Sequence, residues 1–165
     1  MMQNLEENVV LCARTTGARL VLLQGVQGSG KSTFAKQLSN RNAKCVIVSA
    51  DDFMVDQYGT YKFEPTKLTE CHQKCQTRAA DSLKEGSYVI VDNCNARNEH
   101  VQPYIDMLNS TERFIVVYMK AESEEQALAF GRRSVHKIPD FAVLNTQRSI
   151  ERISNPRACY ITMPK

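Results

Sequence analysis

Apolar residues in this chain follow two patterns that take turns along its length. The first is a short unbroken run: Arg19 to Gln24, Cys45 to Ser49, Tyr88 to Asp92, Phe114 to Met119 and Ala158 to Met163. Runs of this length without polar alternation predict strands, and Cys45-Val46-Ile47-Val48-Ser49 has the composition of a strand buried on both faces. The second pattern repeats every three or four residues, the period of a helix. Leu5, Val9, Cys12 and Ala13 predict a peripheral helix over residues 1–17, closed by Gly17. Thr33 to Leu38 predicts another. Pro65 opens a long helix to about Glu85, with Leu68, Cys71, Cys75, Ala79 and Leu83 as its apolar stripe and Gly86 just past its end. Asn98 is the expected N-cap of a helix bearing Val101, Tyr104, Ile105 and Leu108, shortened or bent by Pro103. Ser123-Glu124-Glu125-Gln126 has the form of a capping box for a helix to about Phe130 or Gly131. A last helix, from about Asp140 to Ile153, is expected to carry Arg148 and Arg152 on one face. Stretches 40–44 and 54–64 read as loops.

Strand and helix alternate almost throughout. That order predicts an α/β fold in three layers, a five-stranded parallel sheet with helices on both faces. Ligands of such sheets bind at the carboxyl ends of the strands.

Composition narrows the setting. A chain of 165 residues suits a single domain over 1–165, and its 42% hydrophobic and 24% charged residues are ordinary for a globular protein. A formal charge of +3 permits an anionic partner without naming one. No secretory leader is expected ahead of the six cysteines, since Glu6 and Glu7 come early and the first apolar runs are short. The expected setting is therefore a reducing, intracellular one, and no stretch approaches the length of a membrane span. Cys71, His72 and Cys75 are of the residue types that ligate zinc. Here the two cysteines fall on the core stripe and a second ligand pair at zinc spacing is missing, so no structural zinc is expected.

The chemistry starts at Gly25-Val26-Gln27-Gly28-Ser29-Gly30-Lys31-Ser32, followed by Thr33. It matches the phosphate-binding loop at every fixed position and lies between a strand and a helix, as that motif requires. Amides of Gly25, Gly28, Ser29, Gly30 and the following helix turn, through Ser32 and Thr33, would cradle nucleotide phosphates. Lys31 would reach the β- and γ-phosphates and Ser32 would help hold Mg²⁺. Asp92 closes the third strand, where an acidic residue can act on the same Mg²⁺ directly or through water. Arg132 and Arg133 open a basic segment, residues 131–139, able to close over a triphosphate as a lid. Asp51 and Asp52 end the second strand. One of the two is expected to enter the site and take a proton from an acceptor hydroxyl, because adjacent residues leaving a strand point opposite ways. His72, His136, Tyr58, Tyr61, Arg148 and Arg152 each have a structural explanation as good as a functional one.

Taken together, Gly25 to Thr33, Asp51-Asp52-Phe53, Val91-Asp92-Asn93-Cys94-Asn95 and Arg133 through Pro139 recur in this order in a known family. The chain resembles the polynucleotide 5′-hydroxyl kinases of the adenylate-kinase-like branch of phosphate-loop proteins. Its pattern is most similar to the kinase-like domains of the Nedd4-binding-protein-2 group, including Tyr61-Lys62-Phe63-Glu64-Pro65, Leu68 and His72. The resemblance covers about residues 19–153. It implies ATP and Mg²⁺ as cofactors, a DNA or RNA 5′ end as acceptor, Asp51 as the general base and Arg133 as the lid arginine. It also exposes a departure: phage and bacterial polynucleotide kinases carry an arginine three residues after the base, and this chain has Met54 there. Acceptor contact then falls to another residue such as Arg97, or the acceptor differs. Related cyclic-nucleotide phosphodiesterases act through a separate domain with paired H-x-[ST] motifs, which this chain lacks. Two alternatives stay open, a small-molecule or nucleoside kinase and a nucleotide-gated binding module.

Overall fold

The computed structural model describes residues 2–163. Five strands, β1 (Leu20–Gln24), β2 (Cys45–Val48), β3 (Tyr88–Asp92), β4 (Phe114–Met119) and β5 (Ala158–Met163), form one parallel sheet in the order β2-β3-β1-β4-β5. The helices are α1 (Met2–Thr16), α2 (Lys31–Ser39), α3 (Leu68–Lys84), α4 (Asn98–Ile105), α5 (Glu124–Arg132) and α6 (Asp140–Ser149). Short 3₁₀ turns occupy Ala50–Phe53 and Pro65–Lys67. Among the described residues no helix is long and apolar enough to cross a membrane.

The sheet sends alternate side chains to two cores, as the two-residue strand period requires. Leu20, Leu22, Val89, Val91, Phe114 and Val116 pack under α3 and α4, with Cys71, Cys75, Val101 and Tyr104. Val21, Leu23, Ile90, Ile115 and Val117 pack under α1 and α2, with Leu5, Val9, Phe34 and Leu38. The expected three layers are therefore present. A smaller cluster of Val26, Ala121, Ala127 and Val143 joins the phosphate loop to α5 and α6.

Four local expectations are corrected, and a fifth in part. β2 is an edge strand, so Cys45 to Ile47 are only half-buried although their composition suits a central strand. Leu68 is exposed, because Pro65–Lys67 form a separate 3₁₀ turn and α3 begins its core-facing stripe at Cys71. Arg97, not Asn98, caps α4. Asn98 turns its side chain to Glu151 and the Arg152 carbonyl, at 3.1 and 3.0 Å. The last helix stops at Ser149, so Arg152 leaves the face of Arg148 and stacks its guanidinium over Tyr160, 4.4 Å from the ring centre. Ser123 does cap α5 by accepting the Gln126 N–H at 3.1 Å. The Gln126 side chain accepts from Glu122 rather than from Ser123, so the box is only half formed.

Candidate active site

The phosphate loop leaves β1 and turns sharply into α2. Gly28 and Gly30 sit at φ 77° and 101°, in the left-handed region that glycine enters without strain. Gly28 also has no room for a side chain, since a Cβ would lie 1.8 Å from the Phe130 carbonyl oxygen at the end of α5. Gly30 caps α2 with no side-chain hydrogen bond, so the first-turn N–H groups have no capping side chain to satisfy them. That is the arrangement in which a helix N-terminus binds phosphate. Lys31 is buried and donates to the Gly25 and Val26 carbonyls at 2.9 and 2.8 Å, with Ser29 Oγ at 3.5 Å. Ser32 and Thr33 are exposed on the first turn of α2.

Ser32 Oγ donates to Asp92 Oδ2 at 2.7 Å. Burial raises the Asp92 carboxyl above its ordinary range. The Ser32 hydrogen bond and the Lys31 charge pull it back down, while Asp51 and Asp52 add to the rise. A hydroxyl and a carboxylate side by side form a hard oxygen donor pair, which fits Mg²⁺ and not a soft metal.

Behind this pair, buried amides tie the strand ends together. Asn95, at φ 48°, donates to the Leu23 and Val91 carbonyls at 2.6 and 3.3 Å and so joins β1 to β3. Asn is among the few residues that accept such a backbone at low cost. Asn93 Oδ1 accepts the Ala50 N–H at 2.9 Å, which fixes the turn carrying Asp51 to the end of β3. Gln24 is fully buried and donates to the Asn95 and Glu151 carbonyls at 3.0 and 2.9 Å, and Tyr160 donates its hydroxyl to Gln24 Oε1. The Asp-Asn-x-Asn stretch is thus one potential metal ligand followed by two braces.

At the end of β2 the two aspartates diverge. Asp51 approaches His136 of the 131–139 segment, with Oδ2 3.7 Å from Nε2. Asp52 turns to Arg78 on α3 at 3.9 Å, away from His136. Met54 is buried, its sulfur 3.4 Å from the Glu64 N–H and 4.0 Å from Cys71 Sγ, so this position belongs to the core. His72 is half-buried, and burial, with His100 nearby, lowers its pKa. Cys71 and Cys75 lie inside the core, and Cys75 accepts from the Tyr104 hydroxyl at 3.2 Å.

The two candidate lid arginines separate as well. Arg133 donates from Nε to the Gly28 carbonyl at 2.7 Å and lays its guanidinium over Phe130, 4.4 Å from the ring centre. Arg132 pairs with Asp140 at the start of α6, at 2.9 Å. Successive positions at a helix end point about 100° apart, and here the two guanidinium groups take different partners. Of the two, the structure puts Arg133 on the phosphate loop and leaves Arg132 outside it. Arg148 pairs with Glu124 at 2.9 Å, Arg97 with Glu99 at 3.2 Å, and Tyr58 is exposed.

The structure thus brings Gly25 to Thr33, Asp92, Asp51 and Arg133 to the carboxyl ends of β1, β2 and β3. Sequence reasoning missed Gln24, Asn93 and Asn95 as braces. A signal for Gln24 was there to be used, as the one polar side chain in β1, set directly before the loop.

Residues 20–152 match the model of AAA_33, a family described as an AAA domain. The chain is 33% identical over 125 residues to human NEDD4-binding protein 2, a match covering 74% of this chain and 7% of that protein; it spans only a small part of this relative's length. Among solved structures it is similar to a chain of the Pnkp1/Rnl/Hen1 RNA repair complex, with 23% identity and a TM-score of 0.63, over 81% of this chain and 44% of that one. It is also similar to the Mycobacterium tuberculosis APS kinase CysC in complex with AMPPNP and APS. There the identity is 15% and the TM-score 0.62, over 90% of each chain. These likenesses establish the fold of the phosphate-loop kinases.

Proposed function

The chain belongs to the AAA_33 family of AAA domains, and from that membership we propose that it transfers the γ-phosphoryl group of ATP to the 5′-hydroxyl end of a polynucleotide, DNA or RNA. One observation carries the reading. Asp51, an exposed carboxylate, stands at the strand ends beside the phosphate loop and under the basic segment, while its neighbour Asp52 is turned away to Arg78. The fold shared with a chain of the Pnkp1/Rnl/Hen1 RNA repair complex is in keeping with the same acceptor class.

Phosphoryl transfer needs positioning and charge stabilisation more than covalent help from the protein. In this reading the loop amides and the start of α2 hold the triphosphate. Lys31 exchanges the Gly25 and Val26 carbonyls for the β- and γ-phosphates. Ser32 and Asp92 would hold Mg²⁺, which when bound supplies charge neutralisation across those phosphates. Arg133 swings from the Gly28 carbonyl onto the moving phosphoryl group. Asp51 accepts the proton of the attacking hydroxyl.

A second reading keeps the donor half and takes a small-molecule or nucleoside acceptor. Met54 favours it, because the position at which related kinases present an arginine is here part of the core. One assay divides the two readings: γ-labelled ATP, Mg²⁺ and 5′-hydroxyl oligonucleotides, with wild type, Asp51→Ala and Asp52→Ala compared. The expected result is labelled oligonucleotide from wild type and Asp52→Ala, and a loss of roughly 10²- to 10⁴-fold in Asp51→Ala. No labelling of any oligonucleotide would remove the polynucleotide reading. Equal activity of Asp51→Ala would remove the assigned base.

A further inference from the structure

The Tyr61 and His136 rings stack with centroids 3.8 Å apart and planes 23° from parallel. They come from distant segments. Tyr61 belongs to a small hairpin pinned by its bridge to Val55, by Asp56 N–H to the Thr60 carbonyl at 2.8 Å and by Lys62 N–H to the Met54 carbonyl at 3.0 Å. His136 belongs to the 131–139 segment and precedes Lys137, which is held at φ 40°. A non-glycine residue in that region costs free energy that its surroundings must offset. The same imidazole reaches Asp51, at 3.7 Å. Among the described residues no other cation-capable side chain lies within ion-pair distance of Asp51.

Resting on the polynucleotide reading, we infer that Tyr61 and His136 form an aromatic step for the terminal base of the acceptor. That base joins the stack as a further ring while its own 5′-hydroxyl reaches Asp51. The argument is one of place and chemistry. An acceptor hydroxyl at Asp51 brings the rest of its nucleotide within one residue's span of these rings, and every nucleobase offers a π-face that an aromatic platform accepts regardless of sequence. Met54 is buried, so stacking replaces the arginine charge as the grip on the acceptor. The step is also assembled only when the 131–139 segment lies over Asp51, because it supplies one of the two rings. Acceptor binding and closure of the basic segment are thereby coupled. A sugar or other non-aromatic acceptor would gain little from such a step.

The test compares one 5′-hydroxyl oligonucleotide carrying an ordinary terminal base with the same oligonucleotide carrying an abasic terminal residue. Wild type should show kcat/KM lower by roughly tenfold on the abasic end. Tyr61→Leu and His136→Leu should lose that preference, and His136→Phe should keep it. In parallel, a terminal 2-aminopurine read without ATP should be quenched by wild type and by His136→Phe, but not by either leucine variant. Thermal unfolding of each variant guards against a folding defect. If Tyr61→Leu fails to fold, the exposed-segment variant His136→Leu decides alone. Phosphorylation of both oligonucleotides at equal rates by wild type overturns the aromatic step and leaves the kinase function standing. Tyr61-dependent quenching without phosphorylation upholds the step and overturns the kinase. Neither signal overturns both.

Discussion

Gly28 and Gly59 provide a matched pair for testing how the phosphate loop is held. Their φ angles are 77° and 78°, so an alanine at either meets the same backbone penalty, about 1–2 kcal/mol. Their surroundings differ completely. Nothing lies within 4 Å of a Cβ at Gly59, whereas a Cβ at Gly28 would sit 1.8 Å from the Phe130 carbonyl oxygen and 2.6 Å from its carbon. Those neighbours are backbone and cannot rotate aside, so the loop must part from the end of α5. Overpacking of this kind adds about 1–3 kcal/mol. Gly28→Ala should therefore destabilise by roughly 2–5 kcal/mol and Gly59→Ala by about 1–2. Because Arg133 bonds the Gly28 carbonyl at 2.7 Å, the same displacement should weaken nucleotide binding in Gly28→Ala and leave it intact in Gly59→Ala. Urea unfolding gives the first quantity and calorimetric titration with an ATP analogue the second. Equal destabilisation by the two variants would refute the close packing of loop on helix. Unchanged nucleotide affinity in Gly28→Ala would refute its link to the site.

Three further outcomes follow from the same geometry. Asp92 has a raised carboxyl pKa from burial, so its ionisation is harder in the folded than in the unfolded chain; the resulting penalty is absent below the ordinary value of 3.8 and complete above the raised one. Metal-free Asp92→Asn should accordingly unfold at higher temperature than wild type at neutral pH, lose that advantage below about pH 4 and fail to bind Mg²⁺, measured by thermal melts across pH. Arg133→Ala should lower kcat by about a thousandfold or more while Arg132→Ala, bound to Asp140 instead, stays within a few-fold of wild type in steady-state phosphorylation assays. Asn95→Ala, which unpairs buried carbonyls in β1 and β3 and leaves alanine at φ 48°, should lose about 1–3 kcal/mol in denaturant unfolding.

The strands and the donor half were legible because their information is local. An apolar run ending in Gly25 to Ser32 encodes strand, loop and helix start within a dozen residues, and the β4 and β5 bounds were read to the residue. What was not legible depended on position across the sheet. Cys45 to Val48 has the composition of a central strand, and only strand order makes it an edge. Leu68 has the right spacing for the α3 stripe but lies where the 3₁₀ turn hands over to the helix. Arg132 and Arg133 share a charge and a neighbourhood in sequence, and the helical turn between them decides which one meets the loop. Asn93 and Asn95 read as polar loop residues. Their partners, Ala50 and Leu23, are more than forty residues away in the chain.

Those two asparagines also explain why the site divides into a fixed floor and a releasable cover. The floor is the set of strand ends. Gly25 donates to the Cys94 carbonyl at 3.1 Å, Asn95 spans β1 and β3, Asn93 holds the Asp51 turn, and Gln24 ties the loop after β3 to β5 through Tyr160. These groups are buried or nearly so, and leaving any one unpaired costs about 1–3 kcal/mol. The phosphate loop and the Asp51 turn are thereby tied to the same strand ends, the kind of positioning that the proposed in-line transfer would need from its two ends. The cover is held otherwise. Arg133 on Gly28 and Arg132 on Asp140 are exposed contacts, and His136 near Asp51 is a partly exposed one. A solvent-exposed ion pair such as Arg132–Asp140 contributes about 0–1 kcal/mol. Together with the stack of His136 on Tyr61 and the packing of Ile138, these are the contacts the 131–139 segment would give up on lifting in the proposed reaction. Its root stays fixed, because α5 and α6 pack so closely that a Cβ on Gly131 would lie 2.4 Å from Val143. In the proposed reading, a cover that moves over this floor would let ATP enter and then return Arg133 to the phosphate loop and His136 to Asp51.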